Sequence, residues 1–221
     1  LDSNQADAGM GFSVSSAGDV NGDGYADLVV GAPYYDKGET AEGAAFVYHG
    51  GASGINANPA AVLDSNQADA GMGLSVSSAG DVNGDGYADV VVGAPYYDNG
   101  ETDEGAAFVY HGSAAGIGTS PVAVLDSNQA AARSGHSVSG AGDVNGDGYA
   151  DVLVGAPYYD NGEADEGAAF VYQGSTAGIS ASPAVVLESN QIIACLGFSV
   201  SGAGDVNGDG YADVLVGAPY Y

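Results

Sequence analysis

Short apolar runs separated by Gly, Pro, Asn and Asp set the rhythm of this chain. Residues 11–18 (GFSVSSAG) alternate apolar and small polar positions, as a half-exposed strand does. Residues 26–32 (ADLVVGA) and 43–50 (GAAFVYHG) are short and almost continuously apolar. Residues 59–65 (PAAVLDS) form a fourth candidate strand. No segment sustains a 3.6-residue period, so the pattern predicts four strands and almost no helix.

The pattern then repeats. LDSNQ begins at Leu1, Leu63 and Leu125, and LESNQ at Leu187, a constant step of 62 residues. Three copies are complete (1–62, 63–124 and 125–186), and a fourth (187–221) stops after GAPYY. Four strands in a unit of this size predict an all-β fold of β-propeller blades, each of four antiparallel strands. The chain would hold 3.5 blades of one partial propeller domain. Continuously apolar middle strands fit this architecture, because a blade is covered on both faces by its neighbours. A stacked solenoid is the alternative, although its repeats usually run shorter. Propellers need four or more blades to close, and a half blade leaves an open strand edge. The chain reads as an excised or mature segment, since it starts at Leu1 without Met. Three completions stay open: a longer propeller, a second copy closing a seven-bladed ring, or an unclosed array.

Between the first two strands of every copy lies DVNGDGYAD, with oxygen-bearing residues at loop positions 1, 3, 5, 7 and 9. The candidate ligands are Asp19, Asn21, Asp23, Tyr25 and Asp27 in the first copy and Asp81, Asn83, Asp85, Tyr87 and Asp89 in the second. They are Asp143, Asn145, Asp147, Tyr149 and Asp151 in the third, and Asp205, Asn207, Asp209, Tyr211 and Asp213 in the fourth. The tyrosine would contribute its backbone carbonyl. Gly22 and Gly24 let the backbone coil around a centre. Ca²⁺ takes six to eight oxygen ligands in a flexible shell, whereas Mg²⁺ demands a stricter octahedron. The loop holds no His or Cys, which argues against zinc. One Ca²⁺ per loop, four in all, is the expectation. A plain Gly-rich turn is the competing reading, but a turn does not require three carboxylates in nine residues. An EF-hand fails because its twelfth position, a bidentate Glu, is here Val30, and because LVVGAP is β-like rather than helical.

Charge supports a cation. The chain has 29 acids against two bases, Lys37 and Arg133, for a net charge of −27. Such a surface repels nucleic acid and anionic membrane. The four loops hold 12 of the 29 acids, so much of the charge is ligand rather than a halophilic coating. No stretch reaches the length of a membrane span, and no signal peptide is visible. Cys195 is the single cysteine, so it has no partner for an internal disulfide and reads as a small buried apolar residue.

These motifs resemble the FG-GAP repeat, the blade of the integrin α-subunit propeller and of many bacterial surface proteins. The GAP half is intact at Gly31-Ala32-Pro33, Gly93-Ala94-Pro95, Gly155-Ala156-Pro157 and Gly217-Ala218-Pro219. The FG glycine is Gly11, Gly73, Gly135 or Gly197, but Met10, Met72, Ser134 and Leu196 replace the phenylalanine before it. Phe12 and Phe198 appear two places later. The resemblance implies a seven-bladed propeller, Ca²⁺ in the hairpin loops, an extracellular or cell-surface location, and adhesion or ligand binding.

In a four-strand meander, successive loops alternate between two faces. The metal loops therefore share one face with the GGASGINAN-type loops. The other face presents Tyr34, Tyr35, Asp36, Asn4 and Gln5 once per blade. It could dock a protein or stack on a glycan, or its tyrosines could simply pack between blades. Asp36, Glu39 and Glu42 are a weaker candidate cation site. His49 and His111 occupy equivalent places, taken by Gln173 in the third copy, and fit a strand end. No single asymmetric catalytic constellation stands apart from the repeat. The leading reading is a non-catalytic calcium-binding scaffold. A calcium-dependent lectin and an accessory domain of a secreted enzyme are the alternatives.

Overall fold

Val, Ala, Phe and Tyr fill the segments that the pattern marks as strands, and such side chains suit a pleated surface covered on both sides. The computed structural model describes all residues from Leu1 to Tyr221. It contains fourteen strands and no helix. The first blade is β1 (Val14–Gly18), β2 (Asp27–Ala32), β3 (Ala44–Tyr48) and β4 (Ala61–Asp64). The second is β5 (Ser75–Gly80), β6 (Asp89–Ala94), β7 (Ala106–Tyr110) and β8 (Ala123–Asp126). The third is β9 (Ser137–Gly142), β10 (Asp151–Ala156), β11 (Ala168–Tyr172) and β12 (Val185–Glu188), and β13 (Ser199–Gly204) and β14 (Asp213–Gly217) form a final hairpin. Each group is an antiparallel meander in chain order, giving three four-stranded sheets and one two-stranded sheet. This is the architecture of propeller blades, three and a half of them.

The sequence repeat and the sheet are offset. Leu63, which opens the second copy, still belongs to β4 and pairs with Ala45. At the other end, β1 starts at Val14 rather than at residue 11. Gly9 and Gly11 have φ of +70° and +88°, and Phe12 N–H bonds back to Gly9 O, so this stretch is a turn.

First strands of consecutive blades lie against one another (β1 on β5, β5 on β9, β9 on β13), which places them on the inner side of the array. Apolar residues fill the gap between sheets. Val29, Val47 and Leu63 of the first blade meet Val90, Val92, Phe108 and Tyr110 of the second. Val91, Val109 and Leu125 of the second meet Val152, Val154, Phe170 and Tyr172 of the third. Neighbouring residues of β6 thus point to opposite blades, the two-residue period of a strand. Every residue of β6, β7, β10 and β11 is buried. Cys195 is buried as expected, and burial pushes its thiol pKa up.

Candidate metal centre

A β-bulge aims each acidic loop. The β1–β2 register shifts between Ser16 and Gly18, and the same shift recurs in every blade. Gly18, Gly80, Gly142 and Gly204 sit there with positive φ. A bulge bends its strand and re-aims the adjoining side chain, here the aspartate at loop position 1.

That aspartate is the hub of the loop. Asp19 Oδ1 accepts from Gly22 N–H at 2.7 Å and Asp23 N–H at 3.1 Å, and Oδ2 accepts from Gly24 N–H at 2.8 Å. Desolvation raises its pKa, but these backbone N–H groups outweigh it and hold the carboxyl below the usual range. Asp143 behaves likewise. In the fourth loop the Gly210 N–H dominates, and Asp205 is again lowered. Asn21 Oδ1 accepts from Asp23 N–H at 2.9 Å, and Asn21 Nδ2 donates to Asp23 Oδ2 at 3.1 Å. Asp23 Oδ1 accepts from Tyr25 N–H at 2.9 Å.

Position 9 lies deeper. Asp27 is fully buried, with Oδ2 accepting from Val20 N–H at 2.9 Å and Oδ1 from Gly50 N–H at 2.7 Å. Asp89 and Asp151 make the equivalent pairs. They brace the loop and tie it to the end of the third strand. Burial pushes the Asp89 carboxyl up to about 6 against those two N–H bonds, and the Asp85 charge adds to the rise. Burial likewise raises Asp151, with the Asp147 and Asp143 charges adding. His111 offsets part of this at Asp89, but no lysine or arginine pairs with a loop acid, because the only ion pair in the chain is Lys37–Asp64 at 3.2 Å.

The donor chemistry therefore fits a hard cation: side chains offering carboxylate or amide oxygens, exposed or half-buried at positions 1, 3 and 5, with negative charge that backbone N–H groups only partly compensate. Asp19 Oδ1 is taken up by two backbone N–H groups, but Asp19 Oδ2 and both Asp23 oxygens accept one bond each and keep a second lone pair. The loop as it stands does not bring three acidic or histidine side chains into a ready-made ligand set. Backbone N–H groups supply part of the charge compensation within each loop.

The tyrosine at position 7 has a further role. The Tyr87 ring occupies the space where Gly22 of the preceding blade lacks a side chain, and Tyr149 and Tyr211 do the same at Gly84 and Gly146. Ala88 N–H also donates to Asp19 O at 3.0 Å, with counterparts at Ala150–Asp81 and Ala212–Asp143. Consecutive acidic loops are thus in direct contact. His111 directly succeeds β7, and its Nδ1 lies 3.2 Å from Asn83 Nδ2.

On the opposite face the candidate residues divide. Tyr34 is exposed, but Tyr35 packs edge-on against Phe46 at 5.2 Å, as do Tyr97 on Phe108 and Tyr159 on Phe170. Gln5 is not free for a ligand: it accepts from Asp36 N–H at 2.7 Å and donates to Asp36 O at 3.0 Å. Asn4 and its counterparts adopt positive φ, which Asn tolerates in a turn. Asp36, Glu39 and Glu42 do not gather as a second cation site. Glu42 is fully buried, and its Oε1 accepts from the N–H groups of Lys37, Gly38 and Glu39. Glu104 and Glu166 repeat this brace. Sequence reasoning missed these clasps; the recurrence of Gln and Glu at fixed places in each copy was the available signal.

The FG-GAP repeat model matches residues 10–48, 72–110, 134–172 and 196–221. Integrin alpha-7 of Rattus norvegicus is 40% identical over 67% of the chain. Integrin alpha pat-2 of Caenorhabditis elegans is 37% identical over 95% of it, and integrin alpha-V of Gallus gallus 32% over 96%. The matched regions cover 13%, 18% and 20% of those relatives, so the chain corresponds to a fifth of their length or less. Blade architecture, acidic hairpin loops and the family match agree: the chain belongs to the FG-GAP repeat family.

Proposed function

We propose that this chain is a calcium-stabilised, non-catalytic scaffold for protein interaction in an adhesion protein, working outside the cell or at its surface. The observation that carries the reading is the loop repeated four times: oxygen donors at positions 1, 3, 5 and 9 with no lysine or arginine paired to them. Asp19, Asn21, Asp23 and Asp27 and their counterparts would hold Ca²⁺, which would supply the positive charge each loop lacks. Extracellular calcium modules bind at roughly 10⁻⁴–10⁻³ M, so such sites fill outside cells and stay empty in cytosol. The similarity to integrin alpha subunits supports the adhesion role. No helix is long and apolar enough to cross a membrane.

The partner surface is the face opposite the acidic loops, where Tyr34 and Tyr96 stay exposed. The two outermost blade faces fit further blades. Val14 is 66% exposed, whereas its equivalent Val76 is 6% exposed between blades. Leu215 is 62% exposed, whereas its equivalents Val91 and Leu153 are fully buried. A second copy is one source of such blades. Two copies joined head to tail carry six four-stranded sheets and two hairpins, which makes eight blade positions rather than the seven expected from doubling 3.5.

Calorimetric titration of the calcium-free chain with Ca²⁺ tests the reading. Four binding events per chain and a raised melting temperature are expected; no heat of binding at millimolar calcium would overturn it.

A further inference from the structure

Arg133 is the only arginine in the chain and stands where the other copies have Gly9, Gly71 and Cys195. Its guanidinium lies over the ring of Tyr96 from the second blade and over that of Tyr158 from the third, 4.9 Å from each centroid. The clamp sits on the face opposite the acidic loops. Contact with two aromatic rings holds the guanidinium by cation–π attraction.

The guanidinium N–H groups have no partner. Arg133 forms no ion pair and donates no side-chain hydrogen bond, in a chain with 29 acids. Beside it opens a depression of about 330 Å³ lined by Ala131, Arg133, Tyr158 and Asp165. Adjacent residues also depart from the other copies. Ser134 replaces Met or Leu and is fully buried with its hydroxyl unpartnered. His136 stands where Phe or Leu occurs, packs on Phe198 at 4.7 Å and leaves Nδ1 unpartnered. One stretch of the repeat has thus exchanged two apolar side chains for polar ones and gained an arginine.

A guanidinium edge presents parallel N–H donors in one plane, which matches a carboxylate with two bonds. Asp165 in the wall and the net charge of −27 repel any anion, but a multiply charged one such as phosphate more than a singly charged carboxylate. The depression, at about 330 Å³, accommodates one acidic side chain. We propose that the Tyr96–Arg133–Tyr158 clamp is a receptor site for the carboxylate of an exposed glutamate or aspartate on a partner protein. This rests on the protein-interaction reading above and names the chemistry of its contact.

A single arginine makes the test clean, because the Nε–H of Arg133 gives the only such signal in an arginine-labelled NMR spectrum. The whole chain, in calcium-containing buffer, is titrated with N-acetylglutamate amide, its glutamine analogue, N-acetylneuraminic acid and inorganic phosphate. Capped glutamate is expected to move the signal saturably, and at least about tenfold more tightly than each of the others. Arg133→Gly restores the residue of the first two copies, so it is expected to fold; ligand-induced shifts elsewhere on that face should vanish while the melting temperature holds. Arg133→Lys should retain binding weakened about tenfold, as an ammonium lacks the paired donors. No saturable shift with glutamate, an equal shift with glutamine, or tighter binding of phosphate or the sugar acid overturns the inference. A lost glutamate response with the calcium-dependent melt intact sinks this site alone. An unaltered melt with the glutamate response intact sinks the calcium reading and supports this site.

Discussion

Gly31 and Gly73 meet back to back across the first blade interface. A Cβ built on Gly31 would lie 1.9 Å from the carbonyl oxygen of Gly73, well inside any real contact. The same collision recurs between Gly93 and Gly135 and between Gly155 and Gly197. Each FG glycine also donates its N–H to the GAP glycine of its own blade, as Gly73 does to Gly93 at 2.9 Å. The two halves of the motif are therefore the two sides of one close backbone approach, and the missing phenylalanine leaves that approach intact.

Replacing Gly93 by Ala forces the second and third blades apart. The methyl group meets backbone, which cannot rotate away, so the loss should reach the upper end of the ~1–3 kcal/mol typical of overpacking, or exceed it. Gly54→Ala is the control: its φ is +100° but nothing lies within 4 Å, so only the backbone penalty of about 1–2 kcal/mol applies. Urea denaturation of both variants should rank them in that order.

Asp85 and Asp89 should separate metal binding from bracing. Asp85→Asn changes an exposed residue, so its effect on melting should appear in Ca²⁺ and shrink in EDTA. Asp89→Asn places an amide N–H against the Val82 or Gly112 N–H that the carboxylate now accepts. Asp89→Asn should therefore destabilise in EDTA as well, by about 1–3 kcal/mol. For the unaltered chain, each filled site contributes about 2.7 kcal/mol when Ca²⁺ is 100-fold over its dissociation constant. Melting curves with and without EDTA decide all three.

Gln67 clasps Asp98 with two hydrogen bonds of 2.7 and 3.0 Å. Gln67→Ala should cost about 1–2 kcal/mol. Gln67→Glu keeps the acceptor but turns a carboxylate oxygen toward the Asp98 carbonyl, and should cost more. The urea midpoint at neutral pH reads both.

Burial pushes the His136 pKa down, with the Arg133 charge adding to the effect. The folded chain thus favours neutral imidazole. Stability from this group is complete above the unfolded value of about 6.5 and is lost as pH falls through that value toward the lower folded one. Asp89, raised to about 6, works in the opposite sense and favours the fold as pH falls. The difference between the chain and His136→Phe cancels the aspartate. At saturating calcium, the variant should lose less melting temperature than the parent between about pH 7.5 and 5.5.

Strand positions were legible because apolar runs and glycine punctuation are local signals. The acidic loop was legible because its donors lie within nine residues. The double role of Asp27 was not, since the Gly50 N–H that it accepts lies 23 residues away. Glu42 reads as a solvated acid in a polar loop, and only the folded loop shows three N–H groups converging on one oxygen. Gln5 and Asp36, 31 residues apart, pose the same problem. The offset of sheet and repeat was half visible: the apolar run 59–65 crosses the copy boundary at Leu63.

The Ala88–Asp19 bond and the seat of Tyr87 on Gly22 mean that no acidic loop is mechanically isolated. An ion that stiffens the loop holding Asp81 also stiffens a neighbour whose backbone is bonded to it. Occupancy of one loop by Ca²⁺ would lower the ordering entropy left for the next. Filling should spread along the array like a zipper, with a Hill coefficient above one.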